Sequence, residues 1–342
     1  MMRIIKLILK VFAKIIISLF IAAVMALVMV LSLSGPYVEP PEETPEPLPG
    51  IDELIPAGSR VDSSLMITVL FGAEIREMSL ELYLIGVVAA EMPAEFEFEA
   101  LKAQAVAART LVLYRMNVVP NTRHPGAQIC TDSACCMAYS DDEYLREKWD
   151  TDYVRNITRI IGAVLDTDGI FMTYDDNPVL AVFHASSKEK TESSGNVWVS
   201  DLPYLVSVDS PETAQYVPDY ITPVPVTTVD FRGRVAEKFP GAVFSNDVGL
   251  WISEVSHNES GRVSWLVIGG ETVKGTELRS LFDLRSTAVS YEWVDDSIVF
   301  TVTGNGHGVG MSQYGANVMA MDRNDYLAIL THYYTDVEIT GS

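Results

Sequence analysis

Apolar and polar positions follow different periods in successive stretches of this chain, and the changes mark its elements. From Ile15 to Ser34, about 20 residues pass without a charge, enough to cross a bilayer core as a helix. Residues 35–59 lose that character. The stretch "GPYVEPPEETPEPLPG" is rich in proline and glutamate, which favours an extended, solvated tether. Folding resumes near Met66, where "MITVLFG" reads as a strand and a turn. Ser79 has the character of an N-cap, with Glu81 in the first turn and apolar residues to Ala90. Pro93 should stop this helix near Met92, because proline disfavours helical geometry in the residue before it. The spacing predicts a second helix from about Glu97 to Asn117, whose alanines allow close approach of neighbouring backbone. After Thr158 the pattern turns to short β-like runs, "VLAVFHAS", "YLVSVDS", "WLVIGG" and "SIVFTVTGNG", broken by Gly, Pro, Asn and Asp. Helical stretches recur at Val235–Phe239, Gly275–Phe282, Ser312–Met321 and Tyr326–Tyr334. Helices and strands neither alternate strictly nor segregate by half, so the fold class is α+β: a large region of mixed helices and short strands, preceded by one transmembrane helix.

Charge gives this order a direction. Arg3, Lys6, Lys10 and Lys14 precede the apolar run, and the first 34 residues hold no acid. The basic end should stay in the cytoplasm. That gives a cytoplasmic tail at 1–14, a transmembrane helix at 15–34, a tether at 35–59 and an exterior region at 60–342, in a single-pass protein of the cell membrane. A cleaved signal peptide is the competing reading. Its apolar part is usually shorter, and no small-x-small site stands around Ser32–Gly35. The whole chain carries a net charge of −22, and the residues beyond the first 34 hold 20 basic against 46 acidic side chains. Such a surface repels phosphate backbones, so nucleic acid is a poor partner. A neutral or weakly charged polymer, reached through a local pocket, fits better.

Three clusters carry candidate chemistry. Glu91 shares a helix face with Val88 and Leu84 and lies in the last turn, near the negative end of the helix dipole. Apolar surroundings and dipole both disfavour ionisation, keeping it protonated as a proton donor to a glycosidic oxygen. A carboxylate paired with Lys102 or Arg109 is the structural alternative, and Glu95, Glu97 and Glu99 are equally available acids. Gly304, Gly306, Gly308 and Gly310 flank His307 and allow close approach of backbone to a bulky sugar polymer; the alternative is a tight turn with His307 satisfied by main chain. All three cysteines lie within "HPGAQICTDSACCMAY". His124, Cys130, Cys135 and Cys136 make a set suited to a closed tetrahedral zinc site, while a disulfide from Cys130 to Cys135 or Cys136 would leave one odd thiol. A serine hydrolase built on His184, Ser187 and an Asp lacks the G-x-S-x-G elbow.

"VVAAEMPAEFEFEALKAQAVAARTL" resembles the hallmark segment of the SpoIID/LytB family, the stage II sporulation protein D group. "FHASSKEKTESSGNVWVSDLPYLVSV" and "GNGHGVGMSQYGANVMA", the latter followed by "HYYTDVEI", resemble the same family in the same order; "LRSLFDLRST" is a weaker fourth match. The resemblance implies a lytic transglycosylase of spore engulfment with Glu91 as its acid/base. It would cleave between N-acetylmuramic acid and N-acetylglucosamine and close a 1,6-anhydro ring without water. It implies a substrate groove built from Lys102, Gln104 and Arg109 in the first block and His184, Ser187, Lys190, Thr191 and Glu192 in the second. The third block would add Gly306, His307, Gly308, Ser312, Gln313 and Tyr314. Implied partners are peptidoglycan glycan strands stripped of stem peptides, the amidase stage II sporulation protein P, and stage II sporulation protein M in the membrane. Some clostridial members carry zinc in the matching loop on two histidines and two cysteines, so Cys135 would replace a histidine. Four protein ligands leave no open position, which makes the metal structural. Lys188 and Glu189 stand where the family pattern has glycines, leaving the shape of that loop open. Family members that only grip glycan and enhance an amidase supply the rival reading; a zinc hydrolase is disfavoured by the full ligand set.

Overall fold

In the computed structural model, residues 1–33, 48–120 and 122–341 are described. Helix α1 spans Met2–Leu33, starting well before the uncharged run. Lys6, Lys10 and Lys14 recur every fourth residue and so share one face, and they lie on the same continuous helix as the uncharged run. At 1.5 Å per residue it is about 48 Å long, against ~30 Å for a bilayer core. It is long and apolar enough to cross a membrane. Most of the expected tether, residues 34–47, lies outside the described residues. Residues 48–59 belong to the folded unit that begins at Leu48. Ile51, Leu54 and Ile55 pack against its core, and the Arg146 guanidinium donates to the Leu48 carbonyl.

Strands β1 (Met66–Phe71) and β2 (Glu74–Ser79) form an antiparallel hairpin, and β3 (Ile129–Cys130) adds in parallel to β1. Helix α2 (Leu80–Glu91) starts where β2 ends, its cap being the Ser79 hydroxyl, which accepts from the Leu82 N–H at 3.3 Å. It stops at Glu91, ahead of Pro93. Helix α3 (Phe98–Asn117) follows. Tyr83, Leu84, Ile85, Val87 and Val88 in α2, and the alanines and valines of α3, are buried. A helix apolar on most sides belongs in the middle of a core. After α4 (Asp142–Trp149), helix α5 (Tyr153–Leu165) runs on past Thr158, where β-like runs were expected. Ile157, Ile160, Ile161 and Val164 are spaced as one helical face and are all buried, and this tertiary packing outweighs their β-branched preference.

The remaining β-like runs divide. β4 (Phe171–Tyr174) pairs with β5 (Asn177–Pro178) and with the late strand β14 (Glu338–Thr340). "VLAVFHAS" yields only β6 (Phe183–His184), and "YLVSVDS" forms no strand. Its backbone is used by the neighbouring loop, where the Thr191 N–H donates to Val208 and the Ser194 N–H to Leu205. β6 pairs in parallel with β13 (Met311–Ser312), placing His184 opposite Ser312.

Between these two strands the chain builds a second core. β7 (Ile221–Thr227), α6 (Thr228–Lys238), β8 (Ile252–His257), β9 (Val263–Ile268), β10 (Glu271–Lys274), α7 (Gly275–Leu281), β11 (Val289–Val294) and β12 (Ser297–Thr303) give two antiparallel sheets, ordered β10-β9-β8 and β11-β12-β7. Phe231 lies at their centre, stacked on Phe282 at 5.1 Å. Helices α8 (Gln313–Met321) and α9 (Tyr326–Tyr333) then return to the first core. Helices and mainly antiparallel sheets occur together without regular alternation, which is the α+β class.

Candidate active site

Glu91, the last residue of α2, lines a cavity of ≈ 330 Å³ with Phe183, His184, Arg279, Asn305, Gly306, His307 and Gln313 among its walls. One carboxyl oxygen accepts from the Ala138 backbone N–H at 2.7 Å, the other from the Gln313 amide at 3.1 Å. Burial raises the carboxyl above the usual carboxylate range, and these two donors pull it partly back. Neither expected partner reaches it. Lys102 pairs with Glu99 at 3.0 Å and lies over the Tyr326 ring; Arg109 pairs with Asp62 at 2.6 Å. Glu95 and Glu97 are exposed. Of the four acids in this stretch, Glu91 is the one at the cavity.

The second and third blocks meet through the β6–β13 pair and through bridges from Ser186 to Asn305 and from Glu192 to Val309. Gly304, Gly306, Gly308 and Gly310 all take positive φ, from 72° to 112°. Their close approaches are to protein. A Cβ on Gly306 would strike His184, and one on Gly310 would fall on the Val182 carbonyl. His307 is thereby held between the His184 and Trp198 rings, at centroid distances of 5.7 and 5.3 Å. Its Nδ1 accepts from the Val309 N–H. Burial and the nearby Arg279 push His307 down to about 4, so its ring is neutral near pH 7. A second cavity, ≈ 510 Å³, shares Ser133, Cys136, Val182 and His307 with the first and is walled by Trp198 and Arg115.

Other expected groove residues lie elsewhere. Gln104 is buried in α3, its amide without a hydrogen-bond partner among the described residues. Arg109, completely buried, also donates to the Ile170 and Val164 carbonyls. Ser187 donates to His184 Nε2 at 2.6 Å; both residues are buried, and of the two only His184 lines the cavity. Thr191 ties down the backbone at Val208. Glu192 accepts from Ser193, Asn196, Asn258 and Ser260. Lys190 pairs with Asp209 at the surface. Gly308 backs onto the Arg262 guanidinium, Ser312 caps α8, and Tyr314 packs edge-on against Phe96.

Sequence reasoning missed Ala138, Glu212, Arg262, Arg279, Asn305 and Trp198. Ala138 acts through its backbone, which leaves no side-chain signal. Glu212 is buried and accepts from the Ser187 N–H and the Ser210 and Ser312 hydroxyls, holding both blocks from below. Arg262 is buried between Glu192 and Glu212, which act on it as neighbouring charges. Arg279 lies within the weaker fourth block and Trp198 within the second, so both positions were in view without a reason to single them out.

The candidate metal centre lies beside the cavity. The ligand atoms of His124, Cys130, Cys135 and Cys136 all fall within 4.8 Å of one another. Nε2 of His124 is 3.4 Å from the Cys136 sulfur and 3.9 Å from that of Cys135. One nitrogen and three sulfurs in so small a volume make a group able to hold a metal ion. Ala138, two residues beyond Cys136, carries the N–H that reaches Glu91.

A family model described as SpoIID, stage II sporulation protein, matches residues 72–174. Stage II sporulation protein D of Bacillus amyloliquefaciens is 36% identical over 266 residues, covering 78% of this chain and 75% of that protein. The protein of the same name from Bacillus subtilis (strain 168) is also 36% identical over 266 residues, covering 78% and 76%. The amidase enhancer of Bacillus subtilis (strain 168) is 25% identical over 315 residues, covering 75% of this chain and 40% of that protein.

Proposed function

The chain belongs to the stage II sporulation protein D family, and on that premise we propose that it is a membrane-anchored lytic transglycosylase of spore engulfment, acting on peptidoglycan outside the cytoplasmic membrane. The observation that carries this reading is the single carboxyl group of the cavity: among its described lining residues, Glu91 alone is acidic. Inverting and retaining hydrolysis each use a pair of carboxyl groups, whereas anhydro-ring formation needs one. Glu91, whose carboxyl burial raises above its ordinary value, gives its proton in the acid form to the oxygen joining N-acetylmuramic acid to N-acetylglucosamine as that C–O bond breaks. The muramoyl C6 hydroxyl attacks the anomeric carbon and returns its proton to the Glu91 carboxylate. One C–O bond forms as another breaks, no water is consumed, and the acid is restored. Between the two transfers the carboxylate is stabilised by the Ala138 and Gln313 donors. The neutral His307 and the amide of Gln313 offer hydrogen bonds to sugar hydroxyl and acetamido groups.

The proposal extends to zinc. His124, Cys130, Cys135 and Cys136 would hold it with all four positions filled, so it would brace the loop and supply no bound water. Helix α1 would anchor the chain with its basic end in the cytoplasm. Glycan strands freed of stem peptides would be the substrate, with stage II sporulation proteins P and M as partners.

The test is a digest. Full-length protein in detergent is incubated with denuded glycan strands and the products are analysed by mass. Anhydro-ended fragments are expected, and Glu91→Gln should lower their formation by about a hundredfold or more. Reducing ends would mean hydrolysis. The match to an amidase enhancer favours a second reading, a glycan-binding protein that stimulates a separate enzyme. Retained binding without cleavage would select it.

A further inference from the structure

One charged group in the catalytic cavity has no counterpart in the chemistry described above. Arg279, on α7 of the second core, lines the same cavity as Glu91, Asn305 and His307. Its Nε donates to the Leu284 carbonyl at 3.1 Å, which fixes the plane of the guanidinium. Among the described residues its two terminal nitrogens have no protein partner, and no carboxylate stands within ion-pair distance. Burial alone acts on the group, pushing it below its ordinary value with no acid beside it to offset that cost. Arg262 differs in degree: it too is buried and pushed downward, but the charges of Glu192 and Glu212 offset part of that cost. In a chain with a net charge of −22, a half-buried cation left without an acid is a place for an anion brought by the ligand.

We propose that Arg279 is a specificity-determining residue that pairs with the free lactyl carboxylate of a muramic acid unit. The inference rests on reading the cavity as a peptidoglycan site. Muramic acid carries a lactyl group on O3. In an intact strand its carboxyl is an amide joined to the stem peptide, neutral and bulky. Once the peptide has been removed it is a carboxylate, the planar two-oxygen anion that an arginine fork matches with paired hydrogen bonds. The terminal nitrogens of Arg279 offer that fork inside the cavity that holds the acid, so recognition and bond cleavage would act on the same strand.

The test measures binding by full-length protein in detergent, with Glu91→Gln in every sample to prevent turnover. The probes are a hexasaccharide of alternating N-acetylglucosamine and N-acetylmuramic acid with free lactyl carboxylates, the same hexasaccharide with those groups converted to primary amides, and an N-acetylglucosamine hexamer, which has no lactyl group. With Arg279 present, the acid form should bind about tenfold more tightly than the amide form, or better. Arg279→Gln should abolish that difference and leave the N-acetylglucosamine hexamer unaffected, and Arg279→Lys should restore part of it. Equal binding of acid and amide forms with Arg279 in place would overturn the inference while leaving the glycan site standing. A loss of all three probes in Arg279→Gln would also overturn it, by showing a structural role. Binding of none of the probes with Arg279 in place would overturn the reading of the cavity itself.

Discussion

Glu91 and Arg109 show how one sequence block supplies both a cavity carboxyl and an internal support. At Glu91, burial lifts the carboxyl while two N–H donors draw it back, and the net direction is upward. A raised value means that the folded chain holds this proton to higher pH than the unfolded chain does. Its contribution to stability is full below the ordinary carboxylate range and is lost as pH rises through the raised value. Glu91→Gln cannot ionise, so its melting temperature should gain on that of the parent protein as pH rises from acid to neutral. A gap that stays constant with pH would show that the carboxyl is not shifted. Cleavage should fail on the same alkaline side, because the donor is then empty. Arg109 does different work. Its guanidinium is spent on Asp62 and on the carbonyls of Val164 and Ile170, with neither side chain of the pair open to solvent. Asp62→Ala leaves a buried cation unpaired and should cost about 3–5 kcal/mol of stability, read from denaturant unfolding. A cost under about 1 kcal/mol, the range of a surface pair, would contradict the buried geometry.

At the scale of elements, short pieces of β structure do more for the site than the long helices. The two-residue pair of β6 and β13 aligns His184 with Ser312 and starts α8 where Gln313 can reach Glu91. In the loop after β6, where glycines were expected, Glu189 takes φ 55°, a left-handed conformation that glycine adopts at little cost. The loop of the candidate metal centre makes a similar short link, from β3 to the Ala138 N–H on Glu91. If zinc braces it, protein purified without chelator should carry about one zinc per chain, lost in both Cys130→Ser and Cys136→Ser. Chelation should lower the melting temperature. Unchanged zinc content in both variants would remove the site.

Over the whole molecule, two hydrophobic cores share the task. The helical core around α2 and α3 holds the acid. The β-rich core between the second and third blocks contributes Arg279 to the cavity wall and Arg262 beneath it. Helix α1 is long and apolar enough to cross a membrane, and if it is an anchor with its basic end inside, protease added to intact cell-wall-free cells should remove the folded unit. Complete protection would reverse the orientation or dismiss the span. Sequence alone determined the uncharged part of α1 though not its start at Met2, the ends of α2 and α3 and the His/Cys loop. These depend on an uncharged run, a cap and a proline, and an uncommon cluster of thiols, all of them local signals. It also carried the family resemblance, because three blocks survive in order. Only the tertiary structure decided which of Glu91, Glu95, Glu97 and Glu99 faces a cavity, that Arg109 and Glu192 are internal supports, and that Arg279 stands without an acid. A side chain's exposure and partners depend on residues distant in the chain, and local pattern does not encode them. The helix that continues past Thr158 makes the same point: its β-branched residues became helical because one face of them had a core to fill.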